Sequence, residues 1–463
     1  MLPRVILGLG WLVWLSSPTC EAECRAQEQP SQYVSIAKEI ANWLDSVAIR
    51  DGDAMRWPIV PDESERSVDH LYGGTAGIVL FYLELHAATG EDQFLEVARA
   101  GGKRLVRSVA ELEPGSDLGL FTGAAGIGFV LNRLDALHPD ETYRQAAHRM
   151  FEFLIAHSNI GDFEGRQVAA WNEVTDVIGG TAGIGMYLLD VFAKSGEPAA
   201  LSWAIAAGDG LLARAEKVET DVLSGLKWQM SPTFPREMPN YSHGTAGICH
   251  YLVLLDGVCQ QSYLPSQTYD GRFIAAAKQG ASYLIDLSSR TEPGLIPHHF
   301  PGGEELFYLG WCHGPAGTIR LFDLLQSVTN DRTYELAADR LQVALYNSHL
   351  PQASAGFWDN VGLCCGNCGI AAMLTEARHP DERQWRLATG LLEDVLGRMT
   401  RVELGDGRSG AFWSHCEHRV RPDLKQAQTG LMQGAAGIGI TFLIMDARQQ
   451  RRARRPILPS LPF

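Results

Sequence analysis

The sequence predicts an all-α protein whose seven helical hairpins close into a double ring, an α/α toroid. Three observations carry that expectation. A Gly-x-x-Gly motif recurs seven times, an amphipathic stretch separates successive copies, and neither terminal repeat has the polar outer face that would cap an open stack. The motif also accounts for a compositional excess: 48 of 463 residues are glycine, against an average usage of ~7%.

The copies are Gly74-Thr-Ala-Gly77, Gly123-Ala-Ala-Gly126, Gly180-Thr-Ala-Gly183, Gly244-Thr-Ala-Gly247, Gly314-Pro-Ala-Gly317, Gly366-Asn-Cys-Gly369 and Gly434-Ala-Ala-Gly437. Their first glycines are separated by 49, 57, 64, 70, 52 and 68 residues. Most run on into an apolar helix, as in Ile78-Val-Leu-Phe-Tyr-Leu-Glu-Leu85. Between copies, Asp92, Asp140, Asp331 and Asp381 each stand where a short polar side chain caps a helix, with an aromatic opening the buried face. After Asp331, Tyr334, Ala337, Ala338, Leu341, Ala344 and Leu345 follow the 3.6-residue period. Each repeat therefore reads as a Gly-headed inner helix and an amphipathic outer one. Glycines at the inner heads would let neighbouring turns crowd together, and the converging N-termini would make one mouth electropositive.

The ring is expected to span residues 35–447 as a single domain. Before it, one early positive charge, an apolar run from Val5 to Leu15 and a small-residue ending read as an export signal over residues 1–22. That run is too short to cross a bilayer comfortably. Residues 448–463 read as a basic, Pro-rich tail that stays solvated. Basic residues number 39 and acidic ones 54, a net charge of −15, which excludes a general nucleic-acid footprint.

Function is expected where repeats deviate, because the shared part already explains folding. Of nine cysteines, Cys364, Cys365 and Cys368 crowd into five residues, and Cys312-His313 stands at the head of the preceding repeat. Thiols gathered at neighbouring inner heads read as a Zn²⁺ site of Cys312, Cys364 and Cys365, three protein ligands leaving a fourth position open. Packed thiols, or a disulfide from Cys312 to Cys364 or Cys368, are the plainer readings. His243 stands just before Gly244, where other copies carry Gly73 and Gly179, and is a candidate acid or base. Asp176 lies four residues before Gly180 and reads either as a helix cap or as a functional carboxylate.

With these residues in place, the chain resembles the lanthionine synthetase C-like family. The matching stretches are Asp176-Val-Ile-Gly-Gly-Thr-Ala-Gly-Ile, Ser242-His243-Gly-Thr-Ala-Gly, Trp311-Cys312-His313-Gly and Cys364-Cys365-Gly. The resemblance implies an α/α toroid with one Zn²⁺ that adds a cysteine thiol to dehydroalanine or dehydrobutyrine, forming a thioether (lanthionine) in a peptide. It implies Cys312 and Cys364 as metal ligands, with Cys365 where a histidine is usual, and Asp176 and His243 as the essential acid–base residues. A third thiolate would make the metal more electron-rich. Tyr308 stands where an arginine is common. The implied partners are a peptide carrying dehydrated Ser/Thr and a free Cys, together with a separate dehydratase. The alternative is a non-cyclising relative acting on a small thiol such as glutathione. A carbohydrate-active α/α toroid would need paired carboxylates at the mouth, where this chain offers thiols and histidines.

Overall fold

The computed structural model describes residues 31–63, 65–219, 224–234, 236–262, 269–351, 357–358, 360–376, 381–416 and 420–450. The export signal expected over residues 1–22, and the tail beyond residue 450, lie outside these described residues. Fourteen helices run through them: α1 (Gln32–Val47), α2 (Thr75–Thr89), α3 (Asp92–Ala110), α4 (Ala124–Leu137), α5 (Glu141–Ala156), α6 (Thr181–Ser195), α7 (Pro198–Leu212), α8 (Thr245–Ser262), α9 (Arg272–Ser289), α10 (Pro315–Thr329), α11 (Arg332–Asn347), α12 (Asn367–Glu376), α13 (Glu382–Gly397) and α14 (Ala435–Gln449). No helix among the described residues is long and apolar enough to cross a membrane.

Even-numbered helices form the inner ring and odd-numbered ones the outer ring. Each inner helix packs on the next, α14 packs on α2, and α1 supplies the outer partner of α14. Closure thus joins the first helix to the last. The inner helices are buried nearly all round because both rings cover them: every residue of α14 from Ala435 to Ala447 is buried. Outer helices bury a stripe, and in α11 that stripe is Tyr334, Ala337, Ala338, Leu341, Ala344 and Leu345.

Asp140, Asp331 and Asp381 cap α5, α11 and α13, the last through a reciprocal box with Gln384. Asp92 departs from the expected pattern. It is the first helical residue of α3, and Glu91 precedes it without a side-chain cap, so Asp92 acts on the helix dipole instead.

Short β-ribbons supplement the helices. Hairpins follow α1, α5, α7 and α13, and each delivers a buried tryptophan back against the helix it left. The indole N–H groups of Trp57, Trp171, Trp228 and Trp413 donate to the carbonyls of Leu44, Leu154, Leu211 and Val395 at 3.0, 2.7, 2.8 and 2.6 Å. Those carbonyls lie in final helical turns, beyond the reach of a regular i+4 donor, and those of Leu154, Leu211 and Val395 also accept from the N–H groups of His157, Arg214 and Arg398 just past the helix ends.

The inner heads meet in a closed circuit of backbone hydrogen bonds. Tyr72 N–H donates to Phe121, Phe121 to Ile178, Val177 to Ser242, Ser242 to Cys312, Cys312 to Cys364, Cys364 to Met432, and Met432 back to Tyr72, at 2.8–3.2 Å. The motif glycines make this approach possible. A Cβ on Gly437 would run into the Leu431 carbonyl and lie 3.2 Å from Leu363 Cβ of the neighbouring repeat.

Candidate functional site

The hydrogen-bonded circuit fixes the residues that ring the mouth. Two residues before each first glycine stand Tyr72, Phe121, Ile178, Ser242, Cys312, Cys364 and Met432. One residue before stand Gly73, Thr122, Gly179, His243, His313, Cys365 and Gln433. Reactive groups therefore occupy one continuous arc, from the fourth repeat to the seventh. On the facing arc the second of these positions carries small residues, Gly73, Thr122 and Gly179.

On the reactive arc the structure brings Cys312, Cys364 and Cys365 together with all three Sγ atoms within 4.8 Å of one another. Cys312 Sγ lies 3.2 Å from Cys365 Sγ, which lies 3.4 Å from Cys364 Sγ. All three are free thiols, so the disulfide expected as an alternative for Cys312 is not formed. Thiolates around a tetrahedral zinc, at a Zn–S length of ~2.3 Å, stand about 3.8 Å apart. The separations of 3.2 and 3.4 Å are a few tenths of an ångström shorter than that spacing, and the donor set suits a thiophilic cation. Hydrogen bonds from Cys312 and Cys364 hold the Cys365 thiol well below the usual range, with a further bond from Gln433. Burial, then the bonds to Cys364 and Cys365, pushes Cys312 well above it. Cys368 stands outside the cluster: it is fully buried, and burial raises its thiol to about 12.

Asp176 and His243 meet across repeats. His243 Nδ1 lies 2.5 Å from Asp176 Oδ2. The other carboxylate oxygen accepts from the N–H groups of Gly179 and Gly180 at 2.9 and 3.0 Å, at the head of α6. Asp176 is therefore a helix cap and an orienting group at once. It is 2% exposed, so the carboxylate is held by donors rather than by water. A carboxylate only accepts, so Nδ1 carries the proton and the half-exposed ring offers Nε2 to the mouth.

His313 stacks on His243, with ring centroids 5.4 Å apart. It also meets His298 at 4.2 Å, and His298 Nδ1 pairs with His299 Nδ1 at 2.8 Å. Burial, and then the neighbouring His298, keeps His313 well below the usual imidazole range, so it is a neutral group. Tyr308 packs on His298 at 4.3 Å, closing this side of the mouth with an aromatic wall instead of a cation.

Residues 67–288 and 298–389, more than half of the chain, match the family described as lanthionine synthetase C-like protein. The chain belongs to the lanthionine synthetase C-like family. Among solved structures, nisin cyclase superposes with a TM-score of 0.58 at 16% identity, over 90% of this chain and 98% of the cyclase. A GH76 α-mannanase from Bacteroides thetaiotaomicron gives 0.47 at 12% identity, over 91% and 97%. A Listeria innocua protein gives 0.46 at 12%, over 92% and 100%. No curated protein sequence matches this chain. The nisin cyclase likeness shows that this member of the lanthionine synthetase C-like family has the α/α toroid fold.

Sequence reasoning missed four residues of the site in this family member: Gln433, Tyr72, His298 and His299. Gln433 and Tyr72 lie in the same two motif columns as the reactive residues, and aligning all seven copies on their first glycine would have exposed them. The His298-His299 pair sits in a connecting loop with no repeat register, so it leaves no such signal.

Proposed function

We propose that the protein adds a cysteine thiol to a dehydroalanine or dehydrobutyrine residue, forming a thioether in a peptide, with Zn²⁺ held by Cys312, Cys364 and Cys365. The thiol cluster carries this reading: three Sγ atoms within 4.8 Å at the mouth, beside an oriented imidazole. When bound, the metal supplies a positive charge that keeps a substrate thiol deprotonated near neutral pH.

The chain's own residues do the rest. Asp176 holds the His243 ring through Nδ1 and so aims Nε2 at the mouth. Attack of the substrate sulfur on the electron-poor β-carbon forms the C–S bond and pushes the π pair to Cα and its carbonyl. The protonated Nε2 of His243 then delivers a proton to Cα. The thiol has lost one proton and Cα has gained one, so the product is an isomer of the substrate. Gly73, Thr122 and Gly179 leave room on the facing arc for a peptide backbone. The dehydrated residue comes from a partner dehydratase. Addition of a small thiol such as glutathione is the second reading, since Tyr308 stands where an arginine is common in the family.

The test is a peptide with one dehydroalanine and one free cysteine, incubated with zinc-loaded protein and followed by alkylation of the remaining thiol. Wild type should consume the thiol without a mass change, and His243→Ala should slow this about 10²–10⁴-fold, the usual contribution of a positioned acid. Purified wild type should hold stoichiometric zinc, weakened in Cys365→Ala. Thiol left free by wild type and variant alike would end the cyclase reading, and metal-free protein would end the zinc assignment.

A further inference from the structure

Gln433 shares the motif column of His243, His313 and Cys365, and nothing in the reaction above uses it. It is 2% exposed. Its Nε2 donates to Cys365 Sγ at 3.4 Å and to the Tyr72 hydroxyl at 3.2 Å. Tyr72 in turn is hydrogen-bonded to Cys364. Cys364 and Cys365 are thus each reached by a donor from the two repeats that close the ring, the seventh and the first.

The amide is held from several directions. The backbone carbonyl of Gln433 accepts from the buried His415 Nε2 at 2.5 Å. One residue earlier, Met432 N–H donates to Tyr72 at 2.9 Å in the mouth circuit. Gly362 makes room for the side chain, because a Cβ there would come 2.6 Å from Gln433 Oε1. That oxygen is buried and has no partner. The orientation is therefore set by the sulfur-facing N–H group, with Oε1 left over.

Three thiolates against one divalent cation leave a net negative charge, and here the cluster is largely buried. A buried charge without donors is costly, and hydrogen bonds to an ionised acceptor are the strong kind. We infer that Gln433 is a positioning residue for the metal centre, its amide N–H holding the Cys365 thiolate in place and spreading the excess charge of a three-sulfur donor set. The inference rests on the zinc reading above. Tyr72 does the same for Cys364, so ring closure and metal binding are coupled through one pair of side chains.

The test compares zinc affinity, by chelator competition, in full-length wild type, Gln433→Met and Gly362→Ala. Methionine preserves volume and removes the donor, whereas alanine at 362 leaves the donor and displaces it. Both variants should bind zinc about 10–100-fold more weakly, as loss of a ligand's hydrogen-bond partner typically does. The cobalt-substituted proteins should show a shifted thiolate-to-metal absorption band. Thermal unfolding of the metal-free proteins controls for folding. Wild type with stoichiometric zinc, and a Gln433→Met variant with unchanged affinity and cobalt spectrum, overturns the role of Gln433 alone. Wild type without zinc overturns the metal reading, and this inference with it.

Discussion

Replacing Asp176 separates two roles that one carboxylate performs. Its Oδ1 accepts from the half-buried Gly179 and the buried Gly180 N–H groups and its Oδ2 holds His243. Asp176→Asn keeps an oxygen for the Gly179 and Gly180 N–H groups but turns an N–H donor toward His243. The ring then loses the acceptor that fixes its Nδ1 proton and its orientation. Asp176→Ala removes both roles. Loss of a cap costs ~1 kcal/mol, and leaving a buried donor unsatisfied costs about 1–3 kcal/mol. The alanine variant should therefore lose roughly 2–4 kcal/mol of stability, and the asparagine variant a small part of that. Both should lose about 10²–10⁴ in the rate of thiol addition, the contribution of a positioned acid. The assay pairs thiol consumption on the dehydroalanine peptide with calorimetric unfolding of the same preparations. An asparagine variant that folds normally and turns over within about tenfold of wild type would refute the argument that Asp176 acts through His243.

Two further outcomes follow from the same geometry. Gly437→Ala puts a Cβ into the Leu431 carbonyl of the turn that heads its own helix, where backbone has to move, and should cost about 1–3 kcal/mol by thermal unfolding while leaving the thiol count unchanged. Zinc affinity should rise with pH: the thiols of Cys312 and Cys364 are pushed above the usual range, so binding expels their protons. With two protons released, affinity should climb roughly 100-fold per pH unit between pH 6 and 8. A flat profile in pH-stepped chelator competition would contradict the protonated pair.

The repeat is legible in the sequence because its causes are local. A glycine at each inner head, a polar cap before most outer helices and a 3.6-residue apolar period are properties of adjacent residues, and Cys312, His243 and Asp176 stand out only as departures from them. Asp92 misleads at that level, because its cap position depends on how Thr89 and Glu91 turn the chain: the Glu91 N–H donates to the Thr89 hydroxyl at 3.2 Å. The β-hairpins with their tryptophan latches also escape, since each indole finds a carbonyl 13 to 18 residues away.

What the sequence by itself determined is the seven-fold rhythm and the residue types that interrupt it. The tertiary structure decided which interruptions meet. Asp176 reaches His243 across 67 residues, and Gln433 reaches Cys365 across 68. The first helix, not a neighbouring one, completes the last hairpin. Those contacts depend on a ring that closes, which brings distant turns within hydrogen-bond reach of one another. A linear pattern records which face of each helix is buried, but the angle between successive repeats is set by how their side chains pack, and that angle alone places the seventh turn beside the first.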